Sequence, residues 1–422
     1  MKMNKTIEAS LNEDYTRPVR DVLWGHIYMT EKQAKLTECT PFMRLNRILQ
    51  LGPVYLVYPG ATHTRASHSI GVYHLGRRLL QNLVQRGAGW LTHEGVKSFL
   101  AACLLHDLGH FPYTHSLKEL PLTDHETLTG EIILKEPVKS LAGAAGADPV
   151  LTAAIIDKDS SAASGDELYF YRRLLSGALD PDKLDYLNRD ARYCGVPYGA
   201  QDVDFILSRL YPDKKRGVDI DSRLIPNVES VLFSKYLMYR TVYWHHQVRA
   251  ATAMVKKALI KGLESGKLVN EDLYGLEDTS LFTLLEQKMS GSLVNSIREG
   301  RIFFTAAEFS HETVDLKVVS ELKNRALYEE NLAKKLRDAG MKISGEDIII
   351  DIPEPVSFET GLFVFDEERN FSDSSSAFRQ ETINAFIKTL YTIRIYINQK
   401  FKETIKTLLQ NYSILNPENW RS

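Results

Sequence analysis

Apolar and polar positions follow a helical period through most of the chain. Between residues 66 and 85, Ile70, Leu75, Leu79 and Leu83 fall along one face. Between 94 and 108, Val96, Leu100, Cys103 and Leu104 do the same, and both spacings predict amphipathic helices. A third helix is expected over 181–194, with Asp180 as N-cap, Pro181 in its first turn and Cys194-Gly195 as its stop. Residues 228–264 read as one long helix ending at Gly262 or Gly266. The stretch 141–165 is rich in Ala, Ser and Gly; it reads as one short helix over 149–156 and then a flexible loop. Beyond about residue 300 the texture changes. Glu346 to Ile352, Phe363 to Phe365 and Thr392 to Ile397 are short β-branched or aromatic runs that predict strands. Residues 372–376 read as a loop and residues 1–20 as a polar arm. The fold class expected is mainly α, with a smaller α+β region at the C-terminal end.

Composition narrows the classes open to such a chain. It has 422 residues, 44% of them apolar and 25% charged, which is ordinary globular material with enough apolar mass for a large core. A net charge of −2 removes any global pull toward nucleic acid or an anionic membrane, while leaving room for a local basic pocket. The three cysteines, Cys39, Cys103 and Cys194, are far apart and form no CxxC pair. They support neither a zinc ribbon nor a disulfide framework, and a reducing, cytoplasmic setting is expected. The polar start MKMNKTIEASLNEDYT does not read as a secretory leader. The longest apolar run, Phe99 to Leu105, is too short to span a bilayer, so no membrane partner is expected.

Candidate chemistry lies in the histidines. There are twelve, and eight of them fall between His63 and His125, a density that single structural histidines do not explain. The sharpest motif is His106-Asp107 in LLHDLGHFPYTH, at the end of an apolar helix, with His110 four residues on and expected on the same helical side. A His-Asp dipeptide alone is common. His68 upstream, in HTRASHS, and Asp182 downstream, in LDPDKLDYL, make the set specific. Two imidazoles and two carboxylates suit a divalent metal: Mn, Fe, Zn, Ni or, less well, Mg. A cation so held lowers the pKa of water and polarises a phosphoryl oxygen. Asp182, Tyr186 and Asp190 are spaced four apart and share a helix face, with Lys183 one step round. Without the upstream histidines that face would read as solvated. Lys235, Tyr239 and Tyr243 make a second such face, followed by His245 and His246. Standing alone it would read as core aromatics beside a surface lysine. Of the remaining histidines, His63, His74 and His93 read as surface or core fillers, His26 as structural or interfacial, and His311 as exposed. For His245, contact with substrate stays open.

The order His … His-Asp … Asp resembles the HD-domain phosphohydrolase superfamily. The stretches RLNRILQLGPVYLVYPGATHTRASHSIGVYHL, LLHDLGHFPYTH, DHE and LDPDKLDYLNRDARYCGV are similar to the deoxynucleoside triphosphate triphosphohydrolases. The likeness is to bacterial members and to the animal enzyme that carries a sterile-alpha-motif domain. It covers about residues 21–260 and continues weakly into EDIIIDIPEPVSF and IRIYINQKF. It implies an N-terminal arm (1–20), an HD helical core (21–265) and a C-terminal α+β region (266–422) used in assembling a dimer or tetramer. It implies attack of activated water on the α-phosphate, releasing deoxynucleoside and inorganic triphosphate. By motif position, His68, His106, Asp107 and Asp182 would hold the metal. Arg65, Lys183 and Lys235 would bind phosphate, and His110, His115 and His125 would serve as acid/base and phosphate-orienting groups. Gln50 and Asp190 would hold the 3′-hydroxyl, Leu51 and Tyr243 would crowd the 2′ carbon, and Tyr186 would pack on the sugar.

The chain departs from the family pattern in three places. Lys235 stands where the family has an arginine, keeping the charge without the bidentate fork. Lys118 stands where the family has a carboxylate three residues after the histidine matching His115, with Glu119 next to it. Glu38, Met43 and Asn46 do not reproduce the pattern with which the animal enzyme reads an activating guanine nucleotide. The alternative function is another HD phosphohydrolase activity, on a cyclic or signalling nucleotide or on single-stranded nucleic acid. The sugar-facing residues and the lack of a basic aromatic track argue against it, so the expected partner is a dNTP rather than nucleic acid.

Overall fold

Helices dominate, as the periodicity predicts. The structure is a computed structural model. It describes residues 2–420 apart from Ser290, 311–318, Ser320, Pro355, Ser376, 409–411 and 418–419, so His311 lies outside the described residues. The chain begins with helix α1 (Lys2–Asn12) and a hairpin, β1 (Arg17–Asp21) with β2 (Gly25–Met29). The expected polar arm is therefore a helix and a strand. Ile7 and Leu11 are buried in the main core, four apart on the inner face of α1.

The layers that carry the site follow. They are α2 (Glu31–Glu38), α3 (Thr40–Arg44), α4 (Arg65–Gln85), α5 (His93–Leu105), α6 (His125–Ile133), α7 (Val138–Ala144), α8 (Pro149–Ile156), α9 (Asp166–Leu175), α10 (Pro181–Cys194) and α11 (Val203–Ser208). Local chemistry sets the bounds of several. Thr64 and Thr92 cap α4 and α5, and Asp180 caps α10 through the Lys183 amide. Gly195, with a φ of 68°, ends α10 in the left-handed conformation that favours glycine. Helix α4 packs on α5 and α10, which brings together the three elements bearing the predicted metal ligands.

The single helix expected over 228–264 is broken. After α12 (Ile225–Met238), residues Tyr239–Tyr243 form one π-type turn, and α13 (His246–Glu264) starts anew with His245 as its cap. Such turns are frequent at functional sites, and this one carries two of the aromatic residues singled out above.

The rest of the chain is α14 (Asp278–Lys288), α15 (Ser292–Arg298), β5 (Phe304–Ser310), α16 (Leu322–Asp338), β6 (Ile348–Asp351), β7 (Phe363–Val364), β8 (Arg369–Asn370), α17 (Phe371–Ser374), α18 (Gln380–Leu390), β9 (Thr392–Ile397) and α19 (Lys402–Leu408). The three expected strands are present as β6, β7 and β9. The stretch read as a loop at 372–376 is helical as far as Ser374. An antiparallel sheet in the order β5-β9-β6 buries Ile348, Ile350, Ile393 and Ile395 against Leu332 and Leu336 of α16. A second sheet, β3-β4-β7-β8, pairs β3 (Leu210–Asp213) and β4 (Gly217–Ile220) with the two later strands. Val356, Phe358 and Leu362 pack into the core formed by α4, α5 and α10. No helix among the described residues is long and apolar enough to cross a membrane.

Candidate metal-centred active site

His68 projects from the first turn of α4 and is buried. Its Nδ1 lies 2.8 Å from Asp185 Oδ2, and its Nε2 lies 2.9 Å from Asp182 Oδ1. His106 is the C-cap of α5. Its Nδ1 sits 3.0 Å from the Cys103 carbonyl, an acceptor only, so that nitrogen carries the proton and Nε2 is free to act as a ligand. His106 Nε2 is 3.3 Å from Asp107 Oδ1 and 3.9 Å from Asp182 Oδ1. Ligand atoms of His68, His106 and Asp107 all lie within 4.8 Å of one another. Asp182 closes the set from α10. Both imidazoles thus have one nitrogen fixed by an acceptor and the other turned toward the carboxylates, the arrangement that outer partners impose on metal-ligating histidines. The residues fit a divalent cation. Burial opposes charge on His68, yet Asp182 and Asp185 overcome it and push the imidazole up to about 10, so the carboxylates favour a positive charge here and a bound metal would take the place of that proton.

The layer beneath His68 was not found from sequence. Asp185 is fully buried and accepts four N–H groups: from His68, from Trp24 Nε1 at 2.6 Å, and from Arg189 Nε and Nη2 at 2.7 and 2.9 Å. Arg189 also donates to Asp21 at 2.8 Å. A Cβ on Gly71 would come within 1.9 Å of Asp185 Oδ1, so only glycine lets α4 and α10 approach this closely. The available signal was the Asp-x-x-x-Arg spacing in LDYLNRD, which on a charged helix reads as a surface pair.

Beyond the helix end, the chain turns at 106–110 rather than continuing, so His110 is not on a helix with His106 as expected. Two distant side chains hold the turn. Arg44 Nη1 donates to the His110 carbonyl at 2.6 Å, and its other amine donates to Leu108. Thr129 of α6 accepts the Gly109 amide at 2.8 Å and donates to the His106 carbonyl at 3.0 Å. Tyr113 follows in the left-handed region, with φ 64°. That strained residue separates His110 from His115, whose Nε2 atoms are 3.1 Å apart. With His125 they form a second group of imidazoles. Burial, then Arg65, pushes His110 well below its usual range. Burial, then His125, does the same to His115. Asp107 behaves oppositely: burial would raise it, but His110, His106 and Arg65 hold its carboxyl well below the usual range. With His110 neutral, Arg65, which donates to Asp107 at 2.9 Å, is the fixed charge among those three.

These groups line one cavity of about 410 Å³. Its wall contains Gln50, Leu51, Arg65, His106, Asp107, His110, His115, His125, Asp182, Tyr186, Asp190 and Tyr243, so most of the predicted set is brought together. Three residues are placed differently. His68 lies behind the wall, against Asp182. Lys183 and Lys235 lie off it: Lys183 donates to Asp180 at 2.8 Å, and Lys235 to Glu359 at 2.9 Å. Tyr239, read as part of the second face, is on the wall as well; other wall residues went unread, among them Tyr113, Trp244, Arg249 and Glu354. His63 is more than a filler: its Nε2 is 2.8 Å from Asp190 Oδ1, and Tyr243 donates to the other oxygen at 2.6 Å. His245 caps α13 and sits edge-on to Tyr58, away from the cavity, while Trp244 takes the place on the wall. Lys118 reaches the wall, whereas Glu119 is held off it by Lys256 and Arg325.

The HD domain family matches residues 65–157, and the HD associated region family matches residues 202–419, about half of the chain. The chain belongs to the HD-domain phosphohydrolase family that carries this associated region. It is 28% identical to an uncharacterised protein of Methanocaldococcus jannaschii over 93% of this chain and 81% of that one. It is 36% identical to the uncharacterised protein YwfO of Bacillus subtilis, over 52% of this chain and 49% of its relative. The deoxynucleoside triphosphate triphosphohydrolase SAMHD1 homolog of Dictyostelium discoideum is 24% identical over 83% of this chain and 70% of its own. In fold, the chain superimposes on a phosphohydrolase from Bacteroides thetaiotaomicron with a TM-score of 0.71 at 21% identity, covering 91% of this chain and 100% of that one.

Proposed function

We propose that the chain hydrolyses deoxynucleoside triphosphates to deoxynucleoside and inorganic triphosphate, with a divalent metal held by His68, His106, Asp107 and Asp182. One observation carries the reading: a single helix face presents Asp182 at the metal end and Asp190 at the other, with Tyr186 between them. Eight residues at about 1.5 Å rise place the two positions about 12 Å apart along α10, room for a sugar between a phosphate and a hydroxyl contact. The likeness to the Dictyostelium deoxynucleoside triphosphate triphosphohydrolase homolog supports the same substrate class.

The chain's own groups divide the work. When bound, the metal supplies Lewis-acid activation of water and of a phosphoryl oxygen. Arg65 is buried, and its Nε has no hydrogen-bond partner among the described residues, so a guanidinium donor remains for a phosphate. Gln50 Oε1 is likewise buried and unpartnered, an acceptor suited to a sugar hydroxyl. Asp190, steadied by His63 and Tyr243, faces the same space, and Leu51 and Tyr243 crowd the 2′ position. His110, His115 and His125 rest close together, the first two neutral. A triphosphate beside them raises their basicity, since an opposite charge within a few ångströms favours the protonated form. One of the three, with His115 the first choice, then delivers a proton to the leaving 5′-oxygen. Assembly as a dimer or tetramer through the C-terminal region is part of this proposal.

The test is product analysis. The protein is incubated with each dNTP and each NTP plus Mn²⁺ or Mg²⁺, beside Asp107→Ala, and products are separated by ion exchange. Deoxynucleoside with intact triphosphate, absent in the variant, is the expected result. Nucleoside monophosphate, or no release from any dNTP, refutes the substrate assignment and directs the search to signalling nucleotides.

A further inference from the structure

Glu359 belongs to the stretch between β6 and β7, which forms no regular structure over 356–362. Its carboxylate reaches back to α12 and α10. Oε2 accepts from Lys235 Nζ at 2.9 Å and lies 3.7 Å from Lys183 Nζ. The pair of cations is buried and the anion is not: the side chains of Lys235 and Lys183 are 7% and 13% exposed, that of Glu359 36%. Lys183 has a second carboxylate, Asp180, at 2.8 Å, whereas no other carboxylate is paired with Lys235 among the described residues. A desolvated ammonium needs a counter-charge, so Lys235 requires an anion whether or not Glu359 supplies it. The stretch is tied at its start by Arg249, which bonds both Asp351 and Glu354, and farther on by buried Phe358 and Leu362. Glu359 can therefore swing outward by side-chain rotation while the stretch stays docked. Among the described residues its other oxygen accepts from the Ser357 hydroxyl alone, at 2.9 Å.

We propose that Glu359 is an internal stand-in for a substrate phosphate: it occupies the Lys183–Lys235 site and is displaced when a polyphosphate engages those lysines. The proposal rests on the reading of the cavity as a nucleoside polyphosphate site, and takes the bound phosphates to extend past its wall to Lys183 and Lys235, which lie off that wall. It makes the associated region a direct competitor for that site. A weakly charged anion exchanges poorly with the carboxylate, while a triphosphate offers several charges at once, so Glu359 also sets a charge threshold for ligands.

The experiment is calorimetric titration of the full chain with inorganic tripolyphosphate, without nucleotide, at fixed ionic strength. Glu359→Gln keeps the shape and removes the charge. It is expected to bind tripolyphosphate at least about fivefold more tightly than the parent, the scale of one partly exposed ion pair. Its melting temperature should also rise more on adding tripolyphosphate than the parent's. Lys235→Gln should abolish the gain when combined with Glu359→Gln. Equal or weaker binding by Glu359→Gln, or a gain that survives Lys235→Gln, overturns the proposal. Should Glu359→Gln fail to fold, Ser357→Ala loosens the carboxylate without removing it, and a smaller tightening is expected; unchanged affinity there is again refuting. Binding is read without turnover. A protein that releases no triphosphate from dNTPs yet shows the gain loses only the substrate reading. One that turns over dNTPs without the gain loses only this inference.

Discussion

Replacing Asp185 with Asn tests whether the site is held from beneath. The carboxylate accepts four N–H groups: Trp24 Nε1, His68 Nδ1 and two nitrogens of Arg189 all point at it. An amide of the same shape offers one accepting oxygen, and its NH₂ must face donors, so at least two buried groups lose their partner. Each orphaned donor costs about 1–3 kcal/mol. Arg189, fully buried, keeps only Asp21 as counter-charge, and breaking one side of a buried pair costs about 3–5 kcal/mol. These are two descriptions of one event, so the expected loss is about 3–5 kcal/mol rather than their sum. His68 loses the acceptor that fixes its tautomer, and metal affinity should fall about 10- to 100-fold. Urea unfolding of the metal-free protein gives the first quantity, and competition with a chelating dye gives the second. Asp182→Asn is the control: its side chain is 37% exposed, so it should weaken metal binding while costing under about 1 kcal/mol of stability. If Asp185→Asn unfolds within 1 kcal/mol of the parent, or the two variants lose stability equally, the buried layer is not what positions His68.

Two shorter predictions follow from packing and from charge. A Cβ on Gly109 would sit 2.2 Å from the His125 carbonyl and 2.6 Å from the Thr129 amide, so Gly109→Ala should cost about 1–3 kcal/mol and depress activity together with stability. Gly143, inside α7 with nothing within 4 Å of its Cβ position, should instead gain up to about 1 kcal/mol as alanine; the same melting experiment reading the same sign for both refutes the argument. His74 is pushed down to about 4 by burial first and then by Arg78 and Arg77. The unfolded chain takes up that proton near pH 6.5 and the folded one does not, so this histidine costs nothing above pH 7 and stability falls as pH drops from about 6.5 toward 4. Between pH 7 and 5 the loss is about 2 kcal/mol, and His74→Gln should lack that part of the slope in paired urea titrations.

What could be read from the sequence was what a helix writes locally. The bounds of α10 follow from Asp180 and Gly195, and the shared face of Asp182, Tyr186 and Asp190 follows from a spacing of four. The three segments that carry the candidate metal ligands were legible because each candidate sits within a motif a few residues long. What escaped depends on partners far away in the chain. His110 leaves the helical path because Arg44, some sixty residues earlier, and Thr129 take the carbonyls and amide that a further helical turn would have used. The break after Met238 has no proline or glycine to announce it; Tyr239 and Tyr243 acquire their places on the wall through a turn in which Tyr239 packs edge-on against both Tyr243 and Trp244.

The same distance argument explains the carboxylates. Glu119 stands beside the position where the family has its acid, and a local reading offers it as a substitute. Lys256 of α13 and Arg325 of α16 claim both of its oxygens instead. Among the acids that do reach the cavity, Glu354 comes from after β6 and is aimed there by Arg249 and Lys256. Glu359 lies five residues further along the same stretch. The associated region therefore places Glu354 on the cavity wall and Glu359 on two lysines behind it, and that contribution could be seen only once α12, α13 and the strands were folded together. A chain read as a helical enzyme with an appended assembly region is, in its electrostatics, one site built by both halves.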